Sequence, residues 1–336
     1  MMTTSTPQAA NPWPNRRVLV TGATGIVGSW LVKALLQRGA FVVSFVLDDD
    51  PQSELIRSGD LLRTAVIRGD LRDLLSIERA INLHEVDTVV HLGAQTIVGV
   101  AHRFPLTTFE ANIRGTYHLL EVCRLHRDLV RRIVVASSDK AYGTQATLPY
   151  TEEMPLLGRH PYEVSKSCVD LLTQSYYHTY RLPLTIARFG NVYGGGDLNF
   201  SRIVPGTIRS FLRGERPIIR SDGTFRRDYI YVKDVADAYL LLADRAADEG
   251  VCGEAFNFSP QKPRTVLEIV EALSRQLNCG HLPPDIRNDA RGEIRDQFLC
   301  ARKARERLQW APSYDLDAAL AETIDWYRNY LGVSVP

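Results

Sequence analysis

Residues 137–143, Ser-Ser-Asp-Lys-Ala-Tyr-Gly, place a hydroxyl, a carboxylic acid and an amine side by side. Residues 162–166, Tyr-Glu-Val-Ser-Lys, add a phenol with a second amine four residues on. On a helix that spacing puts Tyr162 and Lys166 one turn apart on one face. An ammonium beside a phenol favours the phenolate and lowers its pKa from the usual ~10 towards neutrality. A hydroxyl from Ser138 on the same substrate oxygen completes the equipment for taking a proton from an alcohol. Given a hydride acceptor, that is equipment for oxidising the alcohol. A Tyr-x-x-x-Lys pair alone also describes an ordinary surface helix, so the elements that position it decide.

The apolar run 133–136 reads as a buried strand. The reactive stretch therefore follows a strand's C-terminal end, where open α/β sheets place their ligands. A related unit opens the chain. Residues 17–21 read as a short strand running into Gly22-Ala23-Thr24-Gly25-Ile26-Val27-Gly28, and Val27, Trp30, Leu31, Ala34 and Leu35 then recur at helical spacing up to Gly39. Strand, glycine-rich turn and helix in this order let backbone approach a pyrophosphate, with the helix's first N–H groups and positive dipole end facing it. The spacing is GxxGxxG rather than GxGxxG, and the context gives it its weight.

Residues 41–47 read as a second strand. Asp48 stands twenty residues beyond Gly28, with Asp49 and Asp50 after it. An acid there takes the adenine ribose hydroxyls and repels a 2′-phosphate; a solvated acidic turn is the other reading. No arginine stands beside these aspartates in sequence, which points to NAD over NADP. Strands at 65–68 and 88–92 lead into Gly69-Asp70-Leu71 and Gly93-Ala94-Gln95. Asp70 suits an adenine amino group or the cap of the helix beginning near Leu74. The small residues after Leu92 let backbone lie against a cofactor. Periodicity over 105–125 reads as one helix, with Asn112 inside it holding a backbone or a water, or simply exposed.

Strand–helix alternation continues to a sixth strand at 184–188, which argues an α/β fold with a parallel, doubly wound sheet. The pattern then becomes irregular. Residues 1–16 read as a disordered tail, 17–188 as the dinucleotide domain with a returning segment near 229–250, and 189–228 with 251–336 as a smaller lobe over the sheet's ligand edge. Arg188, Arg202, Arg226, Arg227, Arg291 and Arg295 lie in that lobe or at its border, and guanidinium forks suit a diphosphate. Arg227, just before a strand, is the first choice.

The 336 residues carry a net charge of +1 and are 45% apolar and 24% charged. That balance gives no broad electrostatic reason to bind nucleic acid or membrane. No apolar run approaches the ~20 residues that span a bilayer. Five cysteines without a CxxC suit free thiols in a reducing cytoplasm and argue against a zinc site, and no metal is expected.

From Arg17 to about Tyr330 the chain resembles the extended short-chain dehydrogenases that act on nucleotide sugars. The resemblance rests on TGATGIVGSWL, GDLRD, HLGAQ, SSDKAYG, PYEVSKS, RFGNVYGGGD and RRDYIYVKDVADA. It implies a Rossmann-type doubly wound sheet with a smaller irregular C-terminal substrate lobe, a nucleotide-sugar substrate and a homodimer built on helices near Leu120 and Asp170. It places NAD against Gly22, Thr24, Gly25, Ile26 and Val27, with Asp48, Asp70, Leu71, Leu92, Ala94 and Gln95 beyond them and Tyr162 and Lys166 at the reacting end. The sugar nucleotide falls to Gln95, Ser138, Asn191, Arg202, Arg227 and Arg291.

Within that family, the residues after the active-site Ser or Thr separate reactions. A 4-epimerase needs no acid–base pair there; a 4,6-dehydratase needs one to remove water across C5 and C6. The pair here is Asp139-Lys140, which resembles the CDP-glucose 4,6-dehydratases, whereas Arg227-Asp228-Tyr229-Ile230 looks more like the GDP- and dTDP-sugar enzymes. The resemblance therefore implies a deoxysugar-forming lyase. In it Tyr162 takes the proton of the 4-hydroxyl, Ser138 holds the same oxygen, Lys140 takes the C5 proton or steadies the enolate, and Asp139, held protonated, donates to the leaving 6-hydroxyl. A 4-epimerase and a non-catalytic NAD-binding regulatory protein are the competing readings. Asp139-Lys140 stands against the first, and the intact Ser138, Tyr162 and Lys166 against the second.

Overall fold

The computed structural model describes residues 13–289 and 294–333. Its central element follows from short apolar runs rich in β-branched residues, buried on both faces in the inner strands and half-buried at the Ala65–Arg68 edge. The strands are β1 (Arg17–Thr21), β2 (Phe41–Val46), β3 (Ala65–Arg68), β4 (Thr88–His91), β5 (Arg132–Ala136) and β6 (Leu184–Phe189), joined by Ala255–Phe258. Among the described residues they form one seven-stranded sheet in the order Ala255–Phe258, β6, β5, β4, β1, β2, β3. Every pairing in it is parallel. The order reverses between β1 and β4, so a crevice opens at their C-terminal ends, where Thr21 pairs with His91.

Period-2 alternation sorts the core. Val18 and Val20 pack with Leu31 and Leu35 on one face, while Leu19 packs with Val43, Ile77 and Val89 on the other. A third cluster, with Ile208, Phe211, Ile269, Leu273 and Leu320, forms the lobe's own core. The helix α1 (Ile26–Gln37) links the two bodies, because the Trp30 indole N–H donates to the Gly195 carbonyl at 2.8 Å. No described helix is long and apolar enough to cross a membrane.

Three boundaries differ from the sequence reading. Trp13–Asn15 form a 3₁₀ turn rather than tail, with Trp13 buried under the Arg16 guanidinium and Arg16 paired with Asp244; residues 1–12 lie outside the described residues. Ala255–Phe258 belongs to the central sheet and not to the lobe, since β6 would otherwise leave an open edge. The single helix expected over 105–125 is three segments, Pro105–Phe109, a π-turn at Glu110–Arg114 and Gly115–Leu125. The π-turn carries Asn112, which is buried: its amide oxygen accepts from the Gln95 N–H at 2.7 Å, and its amide N–H groups donate to the Gln95 carbonyl and the Ser165 hydroxyl. Of the alternatives open for Asn112, holding backbone is the one the structure shows.

Candidate active site

The glycine-rich turn is built as a cradle. Gly22 takes φ +67°, and a Cβ on Gly28 would lie 2.1 Å from the Gly22 carbonyl oxygen. The N-cap of α1, Gly25, brings no side chain to the helix start, and the first turn holds no acid. Its N–H groups and positive dipole end suit the pyrophosphate of a dinucleotide. Gly28→Ala is accordingly expected to weaken dinucleotide binding by at least about tenfold, read as the NAD retained through gel filtration.

Thr21 locks this turn to the loop after β4, its hydroxyl oxygen accepting from the Leu92 and Gly93 N–H groups at 3.1 and 3.0 Å. His91 supports it. The Thr116 hydroxyl donates to the Asn112 carbonyl at 2.6 Å, so it accepts from His91 Nε2, which leaves Nδ1 to accept from Thr21 at 2.8 Å. Burial, with the Lys166 charge added, pushes this imidazole down to about 3, so it stays neutral. Sequence reasoning took His91 only as a strand residue.

Ser138 caps a short 3₁₀ turn, Asp139–Tyr142, its oxygen accepting from the Lys140 N–H at 3.2 Å. The Ser138 hydroxyl donates to Asp139 at 3.0 Å and faces the Tyr162 phenol. The Lys140 ammonium contacts both Asp139 oxygens at 3.2 and 3.3 Å and donates to Gln297 at 2.8 Å. Gln297 returns a bond to the Asp139 carbonyl at 3.1 Å. Tyr162, Ser138, Asp139 and Lys140 thus form one chain of polar contacts, with Asp139 only 1% exposed. Nothing in the sequence near Gln297 marked it; it arrives from the lobe.

The helix Pro161–Tyr180 carries Tyr162 and Lys166. Lys166 donates to the Ala136 carbonyl at 2.8 Å, and burial pulls it down to about 8. Here the expected lowering of the phenol is corrected. Burial and the charge of Asp139 push Tyr162 up to about 12, and the groups working against that rise are Arg202 and Ser138 rather than Lys166. Desolvation inside the crevice outweighs the adjacent amine.

Other expected residues fall as follows. Ile26 and Val27 open α1 and pack towards the lobe core, and Thr24 accepts through its carbonyl from the Ser53 hydroxyl. Asp48 is exposed at the end of β2. Beside it Asp49 pairs with Arg68 at 2.9 Å, because parallel register sets Val46 opposite Arg68. An arginine does stand by these aspartates, contrary to the linear reading. Asp70 pairs with Arg72, while Asp73 caps the helix. Leu71 packs under Gly93 and Gly115, and Leu92 borders the core beside Ala94. The Gln95 side chain is tied to Ile97 and Thr108.

In the lobe, Asn191 donates its N–H to the Asp228 carbonyl, and Arg202 pairs with Asp197 at 3.1 Å. Arg227 donates to the carbonyls of Arg226, Arg295 and Ile294, so lobe backbone holds it. Arg188 is buried against Asp170, away from any diphosphate role. Arg291 lies outside the described residues. No described group of three or more His, Cys, Asp or Glu is placed to hold a metal ion.

A doubly wound sheet with a glycine cradle at its switch point, Ser138 after the adjoining strand and Tyr162 and Lys166 on the helix beside it has the equipment of a dinucleotide-dependent enzyme that oxidises an alcohol. The chain belongs to the NAD dependent epimerase/dehydratase family, whose model matches residues 18–258. It is 30% identical to a CDP-glucose 4,6-dehydratase of Salmonella typhimurium, over 96% of this chain and 93% of that one. The UDP-glucose 4-epimerase of Thermotoga maritima, solved with UDP-glucose, aligns with TM-score 0.85 at 28% identity over 94% of this chain and 99% of that one. A dTDP-glucose 4,6-dehydratase of Streptomyces venezuelae, solved with NAD, aligns with TM-score 0.84 at 27% identity over 94% and 98%.

Proposed function

We propose that this protein is an NAD-dependent nucleotide-sugar 4,6-dehydratase that converts its substrate to a 4-keto-6-deoxy sugar. The observation that carries this reading is the Asp139–Lys140 pair, a buried carboxyl with a half-buried amine, locked by Gln297 beside Ser138 and Tyr162. An enzyme that only oxidised and re-reduced C4 has no use for a second acid–base pair.

NAD held in the glycine cradle supplies the hydride acceptor and a positive charge. Tyr162, brought to the phenolate by that charge against the burial that raises it, takes the proton of the sugar's 4-hydroxyl. The phenol holds that proton until the elimination is over, with the Ser138 hydroxyl between it and Asp139. With C4 a ketone, the C5 proton is acidic and Lys140, as the amine, removes it. Asp139 donates its proton to the 6-hydroxyl, which leaves as water. Lys140 returns its proton to C5 as C6 is reduced. Once water has left, the Tyr162 proton passes through Ser138 to Asp139 and on to Lys140, so the proton lost from O4 replaces the one that left with O6 and the chain ends as it began. In the resting structure the pair is an ammonium and a carboxylate, and one proton passed across the 3.2 Å contact gives the amine and the acid the elimination needs.

The test is incubation of the protein with CDP-glucose, GDP-mannose, dTDP-glucose and UDP-sugars separately, with products read by mass. Loss of one water from one of them supports the reading and names the nucleotide. Unchanged mass with a new stereochemistry at C4 replaces it with the 4-epimerase reading, which the likeness to the Thermotoga maritima enzyme favours. Assembly as a homodimer is part of the proposal. It would use exposed Tyr117, Leu171 and Tyr180 on the helices Gly115–Leu125 and Pro161–Tyr180, since Leu120 and Asp170 themselves are fully buried.

A further inference from the structure

Asp228 is a buried carboxyl beside the Asp139 turn that the reaction above leaves unused. It is 1% exposed. Its Oδ2 accepts from the Leu299 N–H at 2.7 Å and the Ser259 hydroxyl faces the same carboxyl, while Oδ1 has no donor within reach among the described residues. Its neighbour across the backbone is Asp139. A Cβ built on Gly190 would sit 2.9 Å from the Asp228 Cβ and 3.7 Å from Asp139 Oδ2, so the two side chains flank that glycine, near enough for the charge of one to act on the other. The charged groups around the pair are Lys140, on the Asp139 turn, and Arg227, whose guanidinium faces the carbonyls of Arg226, Ile294 and Arg295. The Tyr150 hydroxyl donates to Gly143.

Two buried carboxyls beside one ammonium are not both comfortably ionised. We propose that Asp228 is a third, protonated member of the Asp139–Lys140 cluster, a positioning residue whose neutrality leaves Lys140 free to give up its proton. If Asp228 ionises, its charge holds the proton on Lys140 and the base for C5 is lost. With Asp228 protonated, passing one proton from Lys140 to Asp139 leaves all three groups neutral. Burial, with the Asp139 charge added, lifts Asp228 from 3.8 to about 7, while the Leu299 N–H, Ser259 and Lys140 oppose the rise. The cluster therefore changes state near neutral pH. This inference rests on the dehydratase reading for its role in the reaction, and for its proton on the burial of Asp228, its Oδ1, unpartnered among the described residues, and the nearby Asp139.

The experiment compares the pH dependence of dehydration, with NAD bound, in the wild type and in Asp228→Asn, which keeps an acceptor for Leu299 but cannot ionise. Taking the ratio of the two rates cancels the titrations they share. The ratio is expected to climb as pH passes through about 7, approaching about tenfold per pH unit above it. A flat ratio overturns the proposal, since a purely structural role costs the same at every pH. Ser259→Ala removes a bond to the ionised form and should move the wild-type decline to higher pH; an unmoved decline in a well-folded variant also overturns it.

Infrared difference spectra of wild type against Asp228→Asn, without any sugar, read the carboxyl directly. A protonated band that titrates near 7 supports the cluster, and its absence at pH 6 overturns it. If no nucleotide sugar loses water, the functional reading fails while this spectrum still decides the proton on Asp228.

Discussion

Lys140→Met is expected to leave oxidation at C4 intact and to slow loss of water by about 10²–10⁴-fold, the range typical of a removed general base. The two steps use different groups. Tyr162 and Ser138 handle the 4-hydroxyl, and neither depends on the Lys140 amine for its position: the Ser138 oxygen accepts from the Lys140 backbone N–H, which methionine retains. What disappears is the Nζ contact to Asp139 and its bond to Gln297. Methionine has similar length and reach, so the change is chiefly one of charge and basicity. The ketone can be trapped with borodeuteride in a single turnover and the deoxy product weighed by mass. Trapped ketone without dehydration places Lys140 at C5. Unchanged turnover to the deoxy sugar removes Lys140 from the reaction. Loss of both steps would mean that the amine organises the whole turn, a positioning role rather than that of a base.

What the sequence showed of this site and what it did not divide along a physical line. The cradle at Gly22–Gly28, the Ser138–Lys140 turn and the Tyr162–Lys166 spacing are contiguous. Their chemistry is set by neighbours a few residues away, and periodicity places them on a turn or a helix face. The parallel sheet was legible for the same reason, since each strand announces itself locally. The misses all lie between segments. Arg68 comes to Asp49 only through the register of β2 on β3. Gln297 reaches Lys140 across 157 positions of chain, and Asp228 comes near Asp139 across Gly190. The phenol of Tyr162 rises instead of falling because desolvation depends on how deep the crevice is, which no Tyr-x-x-x-Lys spacing records. Arg188 was grouped with arginines for a diphosphate because its strand could not reveal the helix residue behind it.

That residue makes Arg188 the second large expectation. Arg188→Met should destabilise the protein by about 3–5 kcal/mol, the cost of leaving one member of a buried ion pair alone. Arg188 and Asp170 are 2% and 0% exposed, joined by two bonds at 2.7 and 2.8 Å. The third donor of the fork goes to the Tyr142 hydroxyl at 2.6 Å, which in turn donates to Asn257. Asp170 lies one turn beyond Lys166 on the helix with Tyr162, and Tyr142 ends the turn that begins at Asp139, so one guanidinium ties both reacting elements to β6. With methionine, Asp170 keeps only the Gln174 side chain as donor among the described residues. Urea unfolding measures the loss, against total stabilities of about 5–15 kcal/mol for folded domains. Adding Asp170→Leu should recover much of it, because two apolar groups of similar volume often replace a buried pair at little cost. Recovery of stability without recovery of dehydration is the informative outcome. It would show that the pair's lasting contribution is the alignment of Tyr162 with Asp139, which a methionine–leucine contact can fill in volume but not hold in register.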